Sequence, residues 1–400
     1  MRSWFDRQIR EIAADRVLRL YGVALACVNV LTFVHWQASG LSRTLAGNRT
    51  PICWPFWEDC HAWRVLTVES VSAILGIYLV LSVAAGACFL SKRHVRWGYF
   101  GLILVNALRV AIMVQDFTLR ANQHYMASWA ALAFLFFPHR RVLVPALLVS
   151  FYFWAGVLKL DMEWLSGAAL YNRERLWIPD ALVPASCVYV VVLEMVLIFG
   201  LYARRSWIFW ATFGQLLLFH VYSWPIVGFY YPMLMFGLIS IFALIRLSGP
   251  PMSLRSVAGT GGPAVILLGG FALTQFLPVA FPGNSAITGE GRLFALNMFD
   301  ARVVCHASAT LRTEDGRSRK VFLSNKSYAK RIACDPILFF NLAREKCRGS
   351  DRKARVVDLD LSLRSRRTTD GEFRDVIDLR NFCTSGVTYD MWRPNDWILK

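Results

Sequence analysis

Six ionisable side chains lie in or beside long apolar stretches of this sequence, where a charge is costly and often functional. They are Arg109, Asp116, His124, Lys159, Glu194 and His220. Lys159 is the sharpest candidate for chemistry, because it follows an aromatic stretch at 151–154. Partial desolvation there favours the neutral amine, which can accept a proton. Asp161 argues the other way, since a nearby carboxylate favours the charged form.

The apolar stretches that must position these groups are long enough to be membrane spans. The chain has 400 residues, of which 56% are hydrophobic. Since a helix needs about 20 apolar residues to cross the hydrocarbon of a bilayer, the pattern predicts about nine spans. They lie near 17–38, 66–90, 97–116, 124–137, 142–160, 183–203, 207–223, 225–245 and 263–282. The predicted fold class is an all-α polytopic membrane bundle.

The chain divides into three predicted parts. Residues 1–16 alternate apolar and charged positions and predict an interfacial helix, and residues 17–282 form the transmembrane domain. Residues 283–400 read as a small β-rich (α+β) domain, with strands expected within 319–323 and 356–363 and a helix within 336–346. Asp-Gly pairs at 315–316 and 370–371 mark turns in this domain.

The loop charges predict the orientation. Alternate loops carry Lys or Arg at 92, 93 and 96, at 140 and 141, at 204 and 205, and at 246 and 255. This bias places the N-terminus in the cytoplasm and the C-terminal domain outside. It also accounts for much of the net charge of +17 without nucleic acid as a partner.

The cysteines agree with this orientation. Three of the nine lie inside predicted spans, and six lie on the face predicted to be outside, where disulfides persist. Cys53 and Cys60 share one loop and are expected to form a disulfide. The other four, Cys305, Cys334, Cys347 and Cys383, allow three pairings that the sequence does not separate.

The same topology gathers polar groups at the outer end of the bundle. Asp116, His124, Lys159 and His220 fall there, and Tyr231 lies near the same level. Arg109 lies one to two turns deeper, and Glu194 lies near the middle of its span. Such a cluster predicts an outward-opening site with an apolar interior suited to a lipid-soluble substrate. The alternative is that the Lys and His residues simply reach toward the headgroups. No metal-ligand spacing occurs, so no metal site is expected.

Four segments carry a resemblance to a known family. Residues 152–167, YFWAGVLKLDMEWLSG, resemble the corresponding stretch of the vitamin K-dependent γ-glutamyl carboxylases and their bacterial relatives, the HTTM (horizontally transferred transmembrane) family. The likeness continues in 122–125 (NQHY), 219–235 (FHVYSWPIVGFYYPMLM) and 288–298 (TGEGRLFALNM), in the family's order. It covers roughly residues 17–300, and the Lys159 segment is the most specific.

The resemblance implies roles for particular residues. Lys159 matches the family's catalytic base, which deprotonates a reduced quinone so that oxygen can add, and His124 matches its active-site histidine. In the carboxylases the oxygenated quinone then removes a γ-proton from glutamate, and CO2 captures the carbanion. We accordingly expect catalytic roles for Lys159, His124 and His220. We expect Arg109, Asp116 and Tyr231 to bind the cofactor, a reduced quinone used with O2 and CO2.

Two departures limit this implication. The family often has Asn shortly after the histidine of the FH segment, whereas this chain has His220-Val221-Tyr222-Ser223. The C-terminal domain is also much shorter than that of the animal carboxylases. The expected function is therefore quinol-dependent, carboxylase- or epoxidase-like (lyase) modification of a secreted peptide or protein at the inner (cell) membrane of a bacterium. The alternative is a non-enzymatic membrane factor for maturation, export or immunity of such a peptide.

Overall fold

A computed structural model describes residues 2–47, 51–57, 60, 66–170, 178–296, 303–324, 332–351 and 354–400. Helix α1 (Arg2–Ala14) comes first. Ile12 is buried in the main core, and Phe5 and Ile9 pack against that core, while Arg7 and Arg10 are exposed. One face of α1 therefore lies on the bundle and the other carries positive charge. This is the pattern of the predicted interfacial helix.

Seven helices of the described chain are long and apolar enough to cross a membrane. They are α2 (Arg16–Ala38), α3 (Val68–Leu90), α4 (Val95–Val114), α6 (Arg140–Val157), α7 (Asp180–Tyr202), α9 (Tyr230–Ser248) and α10 (Gly262–Ala280). Two further helices occupy the other predicted spans, α5 (Asn122–Phe136) and α8 (Ser206–Val227). With 15 residues, α5 is too short to span the hydrocarbon unaided. In α8, polar and aromatic residues such as Gln215 and His220 lower the mean hydropathy.

The first helices of the bundle approach one another closely. Helix α2 packs against α3 and α9, and a Cβ on Gly22 of α2 would lie only 2.7 Å from the ring of Phe89 on α3. Small residues at such contacts let helix backbones come near enough for extensive van der Waals packing, which drives helix association in lipid. Gly22 thus fixes the first hairpin of the bundle.

The C-terminal domain is built on an antiparallel sheet. Its strands are β1 (Val303–Thr313), β2 (Ser318–Phe322), the two-residue β3 (Ser350–Asp351), β4 (Ala354–Arg367) and β5 (Arg374–Leu379). Strands β2, β1, β4 and β5 lie in this order, and β3 pairs with the beginning of β4. Helix α11 (Pro336–Arg348) covers one face with Ile337, Leu338 and Phe340. The expected strands and helix overlap β2, β4 and α11.

The loop between α2 and α3 contributes to the core of this domain. Ile52 and Trp54 of the loop and Phe117, just after α4, are buried in the same cluster as Leu338 and Leu359. The side-chain oxygen of Asn341 on α11 also accepts a hydrogen bond from the backbone N–H of Cys53, at 3.1 Å. The loop and the C-terminal domain therefore lie at one end of the bundle.

Three disulfides are present at this end. Cys53 pairs with Cys60, which confirms that prediction. Of the three pairings open to the other four cysteines, the structure has Cys305–Cys334 and Cys347–Cys383.

The sheet docks onto the loop that follows α6. At the end of β4, the Arg367 guanidinium binds the carboxylates of Asp161 and Glu163, the latter at 3.2 Å. The backbone N–H and the hydroxyl of Thr368 both donate to Glu163 Oε1 at 3.0 Å. Burial lowers the pKa of Arg367, but the hydrogen bonds to Asp161 and Glu163 outweigh it and raise the pKa above its ordinary value. The contact lies two to four residues from Lys159.

Replacing Arg367 by Gln is expected to loosen this loop. Charged hydrogen bonds contribute roughly 2 kcal/mol each, so the loss of one such bond should accelerate exchange of the amide hydrogens of residues 158–166 about thirtyfold. The matched control is Arg364→Gln, which removes an ion pair with Asp375 that is exposed to solvent on both sides. The exchange rates are measured by hydrogen-exchange mass spectrometry. Equal protection of residues 158–166 in the two variants would contradict the docking role of Arg367.

Candidate functional site

A cavity of about 840 Å³ lies where the C-terminal domain meets the bundle. Its walls come from α2, α5, α7, α8 and α9, and Ile332 of the C-terminal domain also lines it. Cavities of this size enclose ligands of several hundred daltons. Lys159, His124 and Tyr231 all face this one space.

Lys159 lies two residues beyond the end of α6, in the segment that the Asp161 contact anchors. Its side chain is almost fully buried, and Nζ lies 2.5 Å from Glu194 Oε2 on α7. Nζ also donates to the carbonyl of Ala155 at 3.3 Å and lies 5.5 Å from the centre of the Trp164 ring. Asp161 binds Arg367, so Glu194 and not Asp161 is the counter-charge of Lys159.

Glu194 is completely buried behind Lys159. Its Oε1 has no hydrogen-bond partner in the described part of the chain. Burial disfavours the charged forms of both members of such a pair, which brings the neutral, proton-transferred form closer in energy to the ion pair. The pair can therefore present either an ammonium or a neutral amine to the cavity.

His124 sits in the first turn of α5, where Nδ1 lies 3.2 Å from the hydroxyl of Tyr230. That hydroxyl is 2.8 Å from Thr32 Oγ1 on α2, and the Tyr230 ring stacks on His35 with centroids 4.2 Å apart. The Trp36 ring also lies next to the imidazole, with ring centroids 5.3 Å apart and the ring planes tilted by 39°. These contacts fix the ring, so that His124 is held in one orientation at the cavity wall.

His220 lies behind the cavity wall. It is fully buried on α8, its Nε2 lies 2.5 Å from the hydroxyl of Tyr152, and its ring centroid is 5.4 Å from that of Tyr231. Tyr231 lines the cavity, whereas His220 does not. The predicted catalytic His220 is thus placed to support Tyr231.

The other two predicted cofactor-binding residues also lie away from the cavity surface. Arg109 donates to Ser128 Oγ at 3.1 Å and lies 3.4 Å from Asn29 Oδ1, so it braces the turn of α5 that follows His124. Asp116 is buried and accepts a hydrogen bond from the backbone N–H of Thr118, which caps a short turn after α4. Arg109 and Asp116 therefore support the elements that line the cavity, but neither side chain lines the cavity itself.

The cavity wall combines charged and polar side chains with a large apolar part. No Asp or Glu occurs among the described residues that line it, whereas Arg120 and Lys159 do. Gln123 and Thr44 accompany Arg120, while the stretch of α8 from Leu218 to Val227 supplies mostly apolar surface. This arrangement suits a ligand with a polar or anionic head and an apolar body.

Sequence reasoning placed Glu194 in mid-span and did not assign it to the site. A single acidic residue within an apolar stretch is a signal of function. Its partner, however, depends on which side of α7 faces the bundle, and residue spacing alone does not reveal this orientation. Trp164 and Tyr230 were missed because aromatic residues are common at the ends of spans.

The fold and the site together mark the chain as an integral membrane helical bundle. A domain with two internal disulfides lies over a cavity that Arg120 and Lys159 line. Comparison of the chain with protein-family models, with curated proteins and with solved structures finds no match.

Proposed function

We propose that this protein is a quinol-dependent membrane enzyme that modifies a secreted peptide or protein, with Lys159 as its base. One observation carries the proposal: Lys159 is buried at the wall of the cavity, and its Nζ lies 2.5 Å from Glu194 Oε2. An ordinary interfacial lysine would extend its ammonium to water or headgroups. Together with the resemblance to the HTTM family, this pairing favours proton transfer.

The residues present fit a reduced quinone. The cavity has the volume for a two-ring head, and the apolar wall of α8 and the rings of Trp164 and Tyr231 would hold it. A reduced quinone bound there would supply two electrons to O2, and the base generated by that oxidation would take the C–H proton that the acceptor must lose before its carbon bonds to CO2. Lys159 Nζ passes its proton to Glu194 Oε2. The neutral amine then accepts a proton from a hydroxyl group of the ligand bound in the cavity. His124, held by Tyr230, orients a polar group beside it.

The proposal includes a topology. We infer that α5 and α8 also cross or enter the membrane, which gives about nine spans, with the N-terminus cytoplasmic and the C-terminal domain outside a bacterial cell membrane. The loop charges support this orientation. The three disulfides all lie at the end that carries the C-terminal domain, as expected for an oxidising compartment. The acceptor would then reach the cavity from the side of Ile332.

The test is oxygen-dependent oxidation of a reduced naphthoquinone with a short prenyl tail by the purified protein in detergent. Lys159→Ala should lower the rate at least about hundredfold, the scale of a lost general base. Lys320→Ala, which removes an exposed lysine on β2, is the control and should retain the native rate. Because Lys159→Ala leaves Glu194 buried without its partner, the neutral pair Lys159→Met with Glu194→Gln is measured alongside.

Equal oxidation by all these proteins would reject Lys159 as the base. If no protein, including the native chain, oxidised any quinol, the alternative function would be favoured. In that case the protein would be a non-enzymatic factor for maturation, export or immunity of a secreted peptide.

A further inference from the structure

The cavity reaches the lipid-facing surface of the bundle between α7 and α8. Leu218 and Val227 of α8 line the cavity and are nevertheless 68% and 45% exposed. On the facing helix, Tyr189 lines the cavity and is 47% exposed. Residues that line the cavity and are also exposed at the surface of the bundle mark an opening of the cavity. This opening lies between α7 and α8.

Helices α7 and α8 diverge along their length. At one end they touch closely, since a Cβ on Gly200 of α7 would lie 2.2 Å from Thr212 Oγ1 on α8. Toward the other end the cavity lies between them, lined by Val190 on one side and by Ile226 on the other. The gap therefore widens with distance from Gly200.

The side chains of Tyr189 and Gln215 form a hydrogen bond across this gap. The hydroxyl of Tyr189 donates to Gln215 Oε1 at 2.5 Å, and both side chains lie at the surface. Hydrocarbon offers no hydrogen-bond partners, so each group satisfies the other there.

We propose that this gap is a lateral portal through which an apolar, chain-bearing ligand enters from the hydrocarbon of the bilayer, with the Tyr189–Gln215 hydrogen bond as its closure. The rim is made largely of Leu218, Ile226 and Val227, which would favour an aliphatic chain over a hydrated solute. The polar groups Arg120 and Gln123 lie on other elements of the wall, where the head of such a ligand would find partners. The inference deepens the proposed function, on which it rests for the use made of the ligand.

Cys187 is a native reporter for entry. Its thiol is outside the three disulfides, its side chain is buried, and it lines the cavity beside the gap. In protein carrying Cys27→Ala and Cys88→Ala, reconstituted in phosphatidylcholine vesicles, alkylation is followed by mass spectrometry. One probe is N-dodecylmaleimide, which resides in the bilayer, and the other is a sulfonated maleimide confined to water.

The dodecyl reagent is expected to label Cys187 faster than the sulfonated one. Leu218→Trp should narrow the portal and slow the dodecyl reagent roughly tenfold, whereas Val221→Trp should not. Val221 is the matched control, because it is exposed on the same helix without lining the cavity. Gln215→Ala removes the closure and should speed the dodecyl reagent several-fold, with the sulfonated reagent unchanged.

Entry from water would give a different pattern. Equal slowing of both reagents by Leu218→Trp, without acceleration by Gln215→Ala, would overturn the portal, as would labelling that is insensitive to both variants. These measurements use no quinol and no turnover. A portal confirmed without quinol oxidation would therefore reject only the proposed chemistry, and the reverse result would reject only the portal.

Discussion

Glu194→Gln is expected to lower the free energy of unfolding by about 3 to 5 kcal/mol, the cost of leaving one member of a buried ion pair without its counter-charge. Lys159 and Glu194 are both nearly or fully buried, and Ala155 O and the Trp164 ring offer the ammonium only partial compensation. The same change should abolish quinol oxidation, because the amide does not take the proton of Lys159. Thermal unfolding in detergent and oxygen uptake measure the two effects.

The two effects can be separated with a neutral pair. Lys159→Met combined with Glu194→Gln contains no buried charge at this position and should recover most of the lost stability, since the pair is replaced by groups of similar volume. Its oxidation rate should stay near background. A double variant that regains both stability and turnover would show that the pair is structural, and a stable, fully active Glu194→Gln protein would reject the ion pair as a functional unit.

The helical part of the fold follows closely from the sequence. Long apolar stretches dictate helices, and seven of the predicted spans correspond to helices that are apolar and long enough. Residues 122–136 form a helix that is too short to span alone, and polar residues of 206–227 reduce its hydropathy. Nine of the 15 residues of α5 are buried, so packing within the bundle accounts for this short helix. Only six of the 22 residues of α8 are buried, and most of that helix lies at the surface of the bundle.

The site was only partly predictable for a related reason. Topology gives the depth of a residue, and Lys159, His124 and Tyr231, which were predicted at one level, line one cavity. Packing determines which side of each helix faces the cavity, and the sequence does not show this orientation directly. Arg109 and His220 consequently proved to support the wall, and Asp116 caps a turn.

The disulfide pairings illustrate the same limit. Loop 51–60 is short, so the spacing of Cys53 and Cys60 predicted their bond. The four remaining cysteines are separated in sequence, and the sheet decides their partners. Strand β1 brings Cys305 to Cys334, while α11 ends beside the segment after β5 and brings Cys347 to Cys383.

Removing the Cys305–Cys334 disulfide with Cys305→Ser and Cys334→Ser is expected to destabilise the C-terminal domain and to open the cavity to water. The closed loop spans 29 residues, and the loss of such a bond costs about 3 kcal/mol. Cys334 lies two residues from Ile332, which lines the cavity. Its release should therefore accelerate labelling of Cys187 by the sulfonated maleimide several-fold, in protein that also carries Cys27→Ala and Cys88→Ala.

The control removes the other disulfide of the domain with Cys347→Ser and Cys383→Ser. Its loop of 36 residues predicts a similar loss of stability, but neither cysteine nor its immediate neighbours line the cavity within the described chain. The labelling rate should then remain that of the parent protein. If both pairs of substitutions accelerated aqueous labelling equally, the effect would reflect general loosening of the domain. If only the Cys305–Cys334 variant did so, the segment that carries Ile332 would act as the cavity's cover, because its position over the cavity depends on the bond to β1.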